Sequence, residues 1–140
     1  MNPRKQLPAN QNSLLLRADF SDESAWQSIC VAVQEPVGDF RAYVECVSDR
    51  AFEGVTPAEI PALVPEGSYR SFVFLVDRIA IASAEQLILV VDLRREPGRS
   101  FRVVPRAAWS VENNLSIANM DFSDFADSVD ANGVFRGFSQ

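Results

Sequence analysis

At 140 residues, 47% hydrophobic and 23% charged, the chain has the size and make-up of one ordinary globular domain. A formal charge of −6 argues against a general nucleic-acid binder, and the absence of histidine excludes Ser-His-Asp triads, Cys-His nucleophile pairs and His-ligated metal centres. Two cysteines, Cys30 and Cys46, without C-x-x-C spacing are too few for a disulfide scaffold or a zinc site, and no apolar run approaches the roughly 20 residues of a membrane helix.

Residues 1–13 are polar, carry Pro3 and Pro8 and hold no apolar leader, so they read as a flexible arm on a cytoplasmic protein. Leu14 to Ala18 is strand-sized. Ser21-Asp22-Glu23 then opens a helix with a capping side chain and acids at its positive end, and Trp26, Ile29, Cys30 and Val33 fall at helical spacing until Pro36 and Gly38. Phe40 to Val47 alternates as a strand, with Phe40, Ala42, Val44 and Cys46 on one face. Thr56-Pro57-Ala58-Glu59 is a capping box, but Pro61 limits its helix to a turn or two.

Phe72 to Val76 and Leu87 to Leu93 are continuous apolar runs, the pattern of strands buried on both faces. Glu96-Pro97-Gly98 turns the chain into Phe101–Val104, a hairpin. Residues 106–111 read as a helical turn and 112–119 fit no single element; Trp109 to Leu115, rich in polar amides, reads as a structural turn rather than a binding loop. A last helix starts near Asp121 with a Phe122, Phe125, Ala126, Val129 stripe, and the apolar tail Val134 to Phe138 docks on the body. The order predicts an α/β fold, with α+β as the variant: a mixed five-stranded sheet with parallel first strands, an antiparallel C-terminal hairpin and packed helices. Residues 14–140 then form one domain.

The glycines form neither G-x-G-x-x-G nor a P-loop, and no catalytic set is complete. Asp19, Asp49 and Asp77, with Arg78, fall at or near the carboxyl ends of the first three strands, the edge where open α/β sheets bind ligands. If they converge they have the chemistry for Mg²⁺; otherwise they are surface ion pairs of little energy. The comparison with phosphoacceptor receiver domains fails, because no adjacent acid pair follows the first strand and Lys5 is the only lysine.

Arg94, Arg95, Arg99, Arg102 and Arg106 concentrate positive charge around the hairpin, available to phosphate, to an acidic protein or to internal pairing with the acidic helix. Asp121, Asp124, Asp127 and Asp130 recur every third residue and predict an acidic outer helix face, which is either simply solvated or, through Asp124 and Asp127, meets a basic partner. Trp109, Asn113 and Asn114 offer a polar aromatic surface as an alternative to their structural role. The cysteines lie in apolar stripes and read as buried thiols.

Several segments together, Leu14 to Phe20, Ala51 to Gly54, Leu89 to Leu93, Trp109 to Phe122 and Gly133 to Phe138, resemble a family of small bacterial proteins, largely actinobacterial, to which no activity is assigned. The resemblance implies one bacterial domain and supplies no catalytic residue, metal or cofactor. An arginine excess over a single lysine fits a bacterial, GC-rich coding bias. Composition and charge favour a non-enzymatic module that binds a protein partner, of immunity or regulatory type, with a homo-oligomer also open. The alternative is a small enzyme or ligand-binding domain using the strand-end carboxylates.

Overall fold

A computed structural model describes residues 4–9 and 12–138. Six strands, β1 (Ser13–Arg17), β2 (Val44–Val47), β3 (Phe72–Val76), β4 (Ile88–Asp92), β5 (Ser100–Val103) and β6 (Val134–Phe135), form one mixed sheet in the order β2-β1-β3-β4-β5-β6. β1 runs parallel to both β2 and β3; β3/β4 and β4/β5 are antiparallel, and β6 adds in parallel to β5. The sheet therefore has six strands rather than the five expected. The missed one is the two-residue β6 in the docking tail, too short to show an alternating pattern.

The continuous apolar runs are explained by cover on both faces. Leu15, Phe72, Phe74, Val76, Ile88 and Val90 turn to one side, and Leu14, Leu16, Val73, Leu75, Leu89 and Val91 to the other. The first side packs under helices α1 (Glu23–Gln34), α3 (Ala108–Ser116) and α4 (Phe122–Ala126), while the five-residue α2 (Arg78–Ala82) adds Ala80. Asp22 caps α1 by accepting from Ala25 N–H, and the buried residues of that helix are Trp26, Ile29, Cys30 and Val33, the predicted stripe. The second side is closed by the β2–β3 connection, whose short 3₁₀ turns at 50–52 and 60–63 bury Phe52 and Ile60.

Residues 4–9 depart from a flexible arm. Leu7 is buried and donates its N–H to Leu63 O at 2.8 Å, Arg4 binds Glu59, and Lys5 binds Asp49. An apolar anchor flanked by two cations outweighs the polarity of the stretch; residues 1–3 and 10–11 of that arm lie outside the described residues. The segment around Trp109 goes beyond the helical turn and structural turn expected: it is one nine-residue helix. Ala108, Val111 and Leu115 fall at i, i+3 and i+7 and bury against the sheet, so packing overrides the turn preference of the asparagines. The acidic helix is only five residues long, so Asp121, Asp124, Asp127 and Asp130 do not share one helical face.

Asp77 is the most deeply engaged surface acid. It caps α2 at Ala80 N–H (3.1 Å) and receives two bonds from Arg102, at 2.9 and 2.7 Å. Burial alone raises its carboxyl, but the Arg102 and Ala80 hydrogen bonds outweigh this and hold it below the ordinary carboxylate value. A depressed folded value gives stability that is complete above about pH 4 and is lost as pH falls through the folded value. Asp77→Asn is therefore expected to cost about 2 kcal/mol at neutral pH, because it leaves a half-buried guanidinium without its carboxylate. Urea unfolding across pH checks this: the gap from the parent chain narrows in acid, whereas a gap of constant size at every pH contradicts the ion-pair account.

Candidate functional site

The strand order reverses at β1. The chain leaves β1 for β2 on one side through α1 and returns to β3 on the other, which is the topology that opens a ligand crevice at the carboxyl edge in other open α/β sheets. Here that edge is filled from within. Arg17, 3% exposed, binds Glu23 at 2.8 Å, Ser48 at 3.2 Å and Asp19 O at 3.1 Å, and its guanidinium lies 4.3 Å from the centroid of the Phe20 ring. Arg50 lies against the same ring at 4.8 Å. Beyond them, Ala18 N–H continues the ladder to Val76 O.

Nor do the strand-end acids converge. Asp19 accepts from Ser21 N–H and from its hydroxyl, and the latter bond, set against partial burial, holds its carboxyl low. Asp49 caps the turn at Ala51 N–H and pairs with Lys5, whose hydrogen bond is the main reason its carboxyl is low. Asp77 belongs to α2 and Arg102. Each carboxylate has a separate structural task, and among the described residues no three His, Cys, Asp or Glu side chains are grouped to hold a metal ion. Arg78 is exposed at the first position of α2.

The arginine-rich hairpin is turned largely onto its own protein. Arg99 binds Glu96 at 2.7 Å and Asp127 at 3.2 Å, Arg95 reaches Asp121 at 3.5 Å, and Arg102 is spent on Asp77. Asp124 accepts from Asp121 N–H at 2.8 Å and caps its own helix. Asp130 and Glu85 pair with Arg136, whose side chain holds both carboxyls low.

The open surface lies at the other end of the sheet, where β1, β2 and β3 begin and β4 ends. Three depressions there share Ser116 at the end of α3. Tyr69 and Ser71 line two of them, Ile117 lines the second and third, and Tyr43 and Asn113 line the third. Tyr69 is 89% exposed, Ile117 73% and Tyr43 55%, so large side chains stand out around these neighbouring depressions. On the flank Phe40 stacks on Trp109, centroids 4.8 Å apart and planes 15° from parallel. Arg41 covers the Tyr43 ring at 4.9 Å, and Arg94 donates to Tyr69 O. Among the described residues no carboxylate pairs with Arg41 or Arg94.

The floor of this hollow is a buried acid. Glu112, 4% exposed, sits on the inward side of α3 and accepts from Ser13 Oγ at 2.9 Å, Tyr43 N–H at 2.9 Å and Asn113 Nδ2 at 3.1 Å. Asn113 also donates to Arg41 O, so two adjacent side chains of α3 fix the loop that carries Phe40, Arg41 and Tyr43. Asn114 turns to its own helix, donating to Ser110 O and accepting from Asn119. On the rim, Ala118 has φ of +56°, a left-handed conformation that costs a side-chain-bearing residue about 1 kcal/mol.

Of the residues singled out from sequence, Arg94, Arg95 and Asn113 line this surface and Trp109 flanks it; Asp19, Asp49, Asp77, Arg78, Arg99, Arg102, Asp124 and Asp127 have the separate placements given above. Tyr43, Tyr69, Ile117 and Glu112 carried no motif. Their only sequence signal is the amide-rich run beside Trp109 that leads into Ile117.

The chain belongs to the family described as a domain of unknown function, DUF6924, whose model matches residues 12–138. No curated protein and no solved structure matches it.

Glu112→Ala strands the Ser13 hydroxyl and the Tyr43 N–H in a buried site and is expected to cost about 3 kcal/mol. Ala118→Gly relieves the left-handed rim and is expected to gain about 0.5–1 kcal/mol. Chemical denaturation of both variants checks the pair of signs; a neutral Glu112→Ala contradicts its place as the floor.

Proposed function

We propose that the protein is a non-enzymatic binding module of bacterial origin whose recognition face is the hollow at the amino edge of the parallel strands. The observation that carries this is that Tyr43, Tyr69 and Ile117, all exposed, line neighbouring depressions that share Ser116. Tyrosines give large, stiff contact area with a polar tip and dominate binding energy at protein interfaces. Isolated apolar side chains on a surface need no explanation, but several of them on neighbouring depressions do.

Arg41 and Arg94 on the flanks decide the chemistry of the partner. Among the described residues their guanidiniums have no carboxylate of their own, while most of the other arginines are paired. The occupant that satisfies both features is an acidic polypeptide segment bearing aromatic or branched side chains, with carboxylates for the arginines and apolar groups for the tyrosine-lined hollow. The net charge of −6 limits non-specific attraction of other acidic chains, so contact depends on local fit.

Panning a random dodecapeptide library against the immobilised protein tests the reading. Acidic, aromatic-rich peptides should be enriched, and Tyr69→Ala with Ile117→Ala should weaken them by about tenfold or more while shifting stability by less than about 0.5 kcal/mol each. A library that yields no enriched sequence, or peptides indifferent to both substitutions, contradicts it.

A further inference from the structure

A further cavity lies on the helical side of the sheet, where the end of α1 meets the 3₁₀ turn at 105–107 and the connection from α2 to β4. Its volume is about 330 Å³, at the small end of ligand-binding hollows. Val104 is buried beneath it, and half-buried Ala32 and Pro105 complete an apolar floor with exposed Val37 at the rim. Gln86 enters from the α2–β4 connection. It is held at a φ of +55° and donates Nε2 to Ser28 Oγ on α1 at 2.9 Å, which ties that connection to the helix. The cavity shares no lining residue with the depressions at the amino edge.

Three charged side chains line this cavity, and they are not equivalent. Glu85 is spent, because both its oxygens accept from Arg136. Those bonds hold the Glu85 carboxyl low, with a smaller contribution from Arg106, which makes no bond to it. Glu35 and Arg106 are exposed, and among the described residues neither has an ion-pair partner.

Glu35 also caps the carboxyl end of α1, a 12-residue helix with no basic residue in its last turn. Pro36 follows and has no N–H to offer the last carbonyls. That end of the helix therefore carries uncompensated partial negative charge, which favours a cation beside the Glu35 carboxylate. Arg106 brings the opposite sign, in a planar fork suited to a carboxylate.

We propose that this cavity binds a small zwitterion with an apolar body, a free α-amino acid of the leucine or phenylalanine kind. The ammonium group meets Glu35 and the end of α1, the carboxylate meets Arg106, and the side chain covers Ala32, Val37, Val104 and Pro105. A lone anion or a lone cation satisfies half of these groups, and an uncharged apolar molecule satisfies neither charge. The volume suits one molecule of this size rather than a nucleotide.

Titration of the ¹⁵N-labelled full chain with L-leucine and with L-phenylalanine tests this, at about pH 6.5 where an α-amino group keeps its proton. Both should shift amides at residues 32–37, 85–86 and 104–106 to saturation. L-Leucinamide, which lacks the carboxylate, and N-acetyl-L-leucine, which lacks the ammonium, should each bind about fivefold more weakly than leucine. Arg106→Ala should abolish the preference for leucine over leucinamide, and Glu35→Gln the preference over N-acetyl-leucine. Both side chains are exposed, and unchanged amide positions away from the cavity report an intact fold. No saturable shift with either amino acid, or equal binding of leucine and its two blocked forms, overturns the proposal. So do shifts confined to residues 40–43 and 113–118.

Discussion

The buried carboxylate of Glu112 ties α3 to the open end of the sheet. Glu112 lies among apolar side chains of α3, and among the described residues no cation pairs with it. A charge in that position is costly unless hydrogen bonds replace its water. Ser13 at the start of β1, the backbone leading into β2 and the neighbouring Asn113 supply them. One side chain therefore fixes a helix against two strands, and with them the position of Tyr43. The aromatic hollow is a consequence of that constraint, since Ile117 stands just past the end of the helix that Glu112 anchors.

The two ends of the sheet use charge in opposite ways. At the carboxyl edge, acids and arginines satisfy one another: Arg17 with Glu23, Asp77 with Arg102, Asp49 with Lys5. Phe20 lies between these groups as an apolar filler contacted by two guanidiniums. The topology that opens a crevice in related sheet orders is present, but its crevice is spent on cohesion. At the amino edge, Arg41 and Arg94 have no carboxylate partner among the described residues, and Tyr43, Tyr69 and Ile117 are exposed. Exposed tyrosine beside unspent guanidinium is the arrangement expected of a surface that completes itself on contact.

Much of the fold was legible because burial leaves a periodic mark. The i, i+3, i+4, i+7 spacing of Trp26, Ile29, Cys30 and Val33 specified α1, and the unbroken runs at 72–76 and 87–93 specified strands covered on both faces, observed at 72–76 and 88–92. The parallel pairing of β1 with β2 and β3 followed from the connections between them. What escaped were elements decided by tertiary contact: β6, two residues long, and α3, whose polar amides argue locally for a turn but whose apolar face is committed to the core. The hollow escaped for a related reason. Tyr43, Tyr69 and Ile117 are far apart in sequence and obey no spacing rule; only the sheet order brings them together. The strand-end acids, by contrast, were conspicuous in sequence because helix and turn caps fall at the same places as catalytic carboxylates.

The central claim is that this protein binds with the amino edge of its parallel strands and not with the carboxyl edge. Chemical-shift mapping of the ¹⁵N-labelled protein with an acidic, aromatic-rich peptide selected by panning tests it most directly. The account predicts perturbations grouped at residues 40–43, 69–71, 94–95 and 113–118. Perturbations grouped instead at 19–22, 48–50 and 77–79 would place recognition at the edge that Arg17 and Phe20 close, and would contradict it.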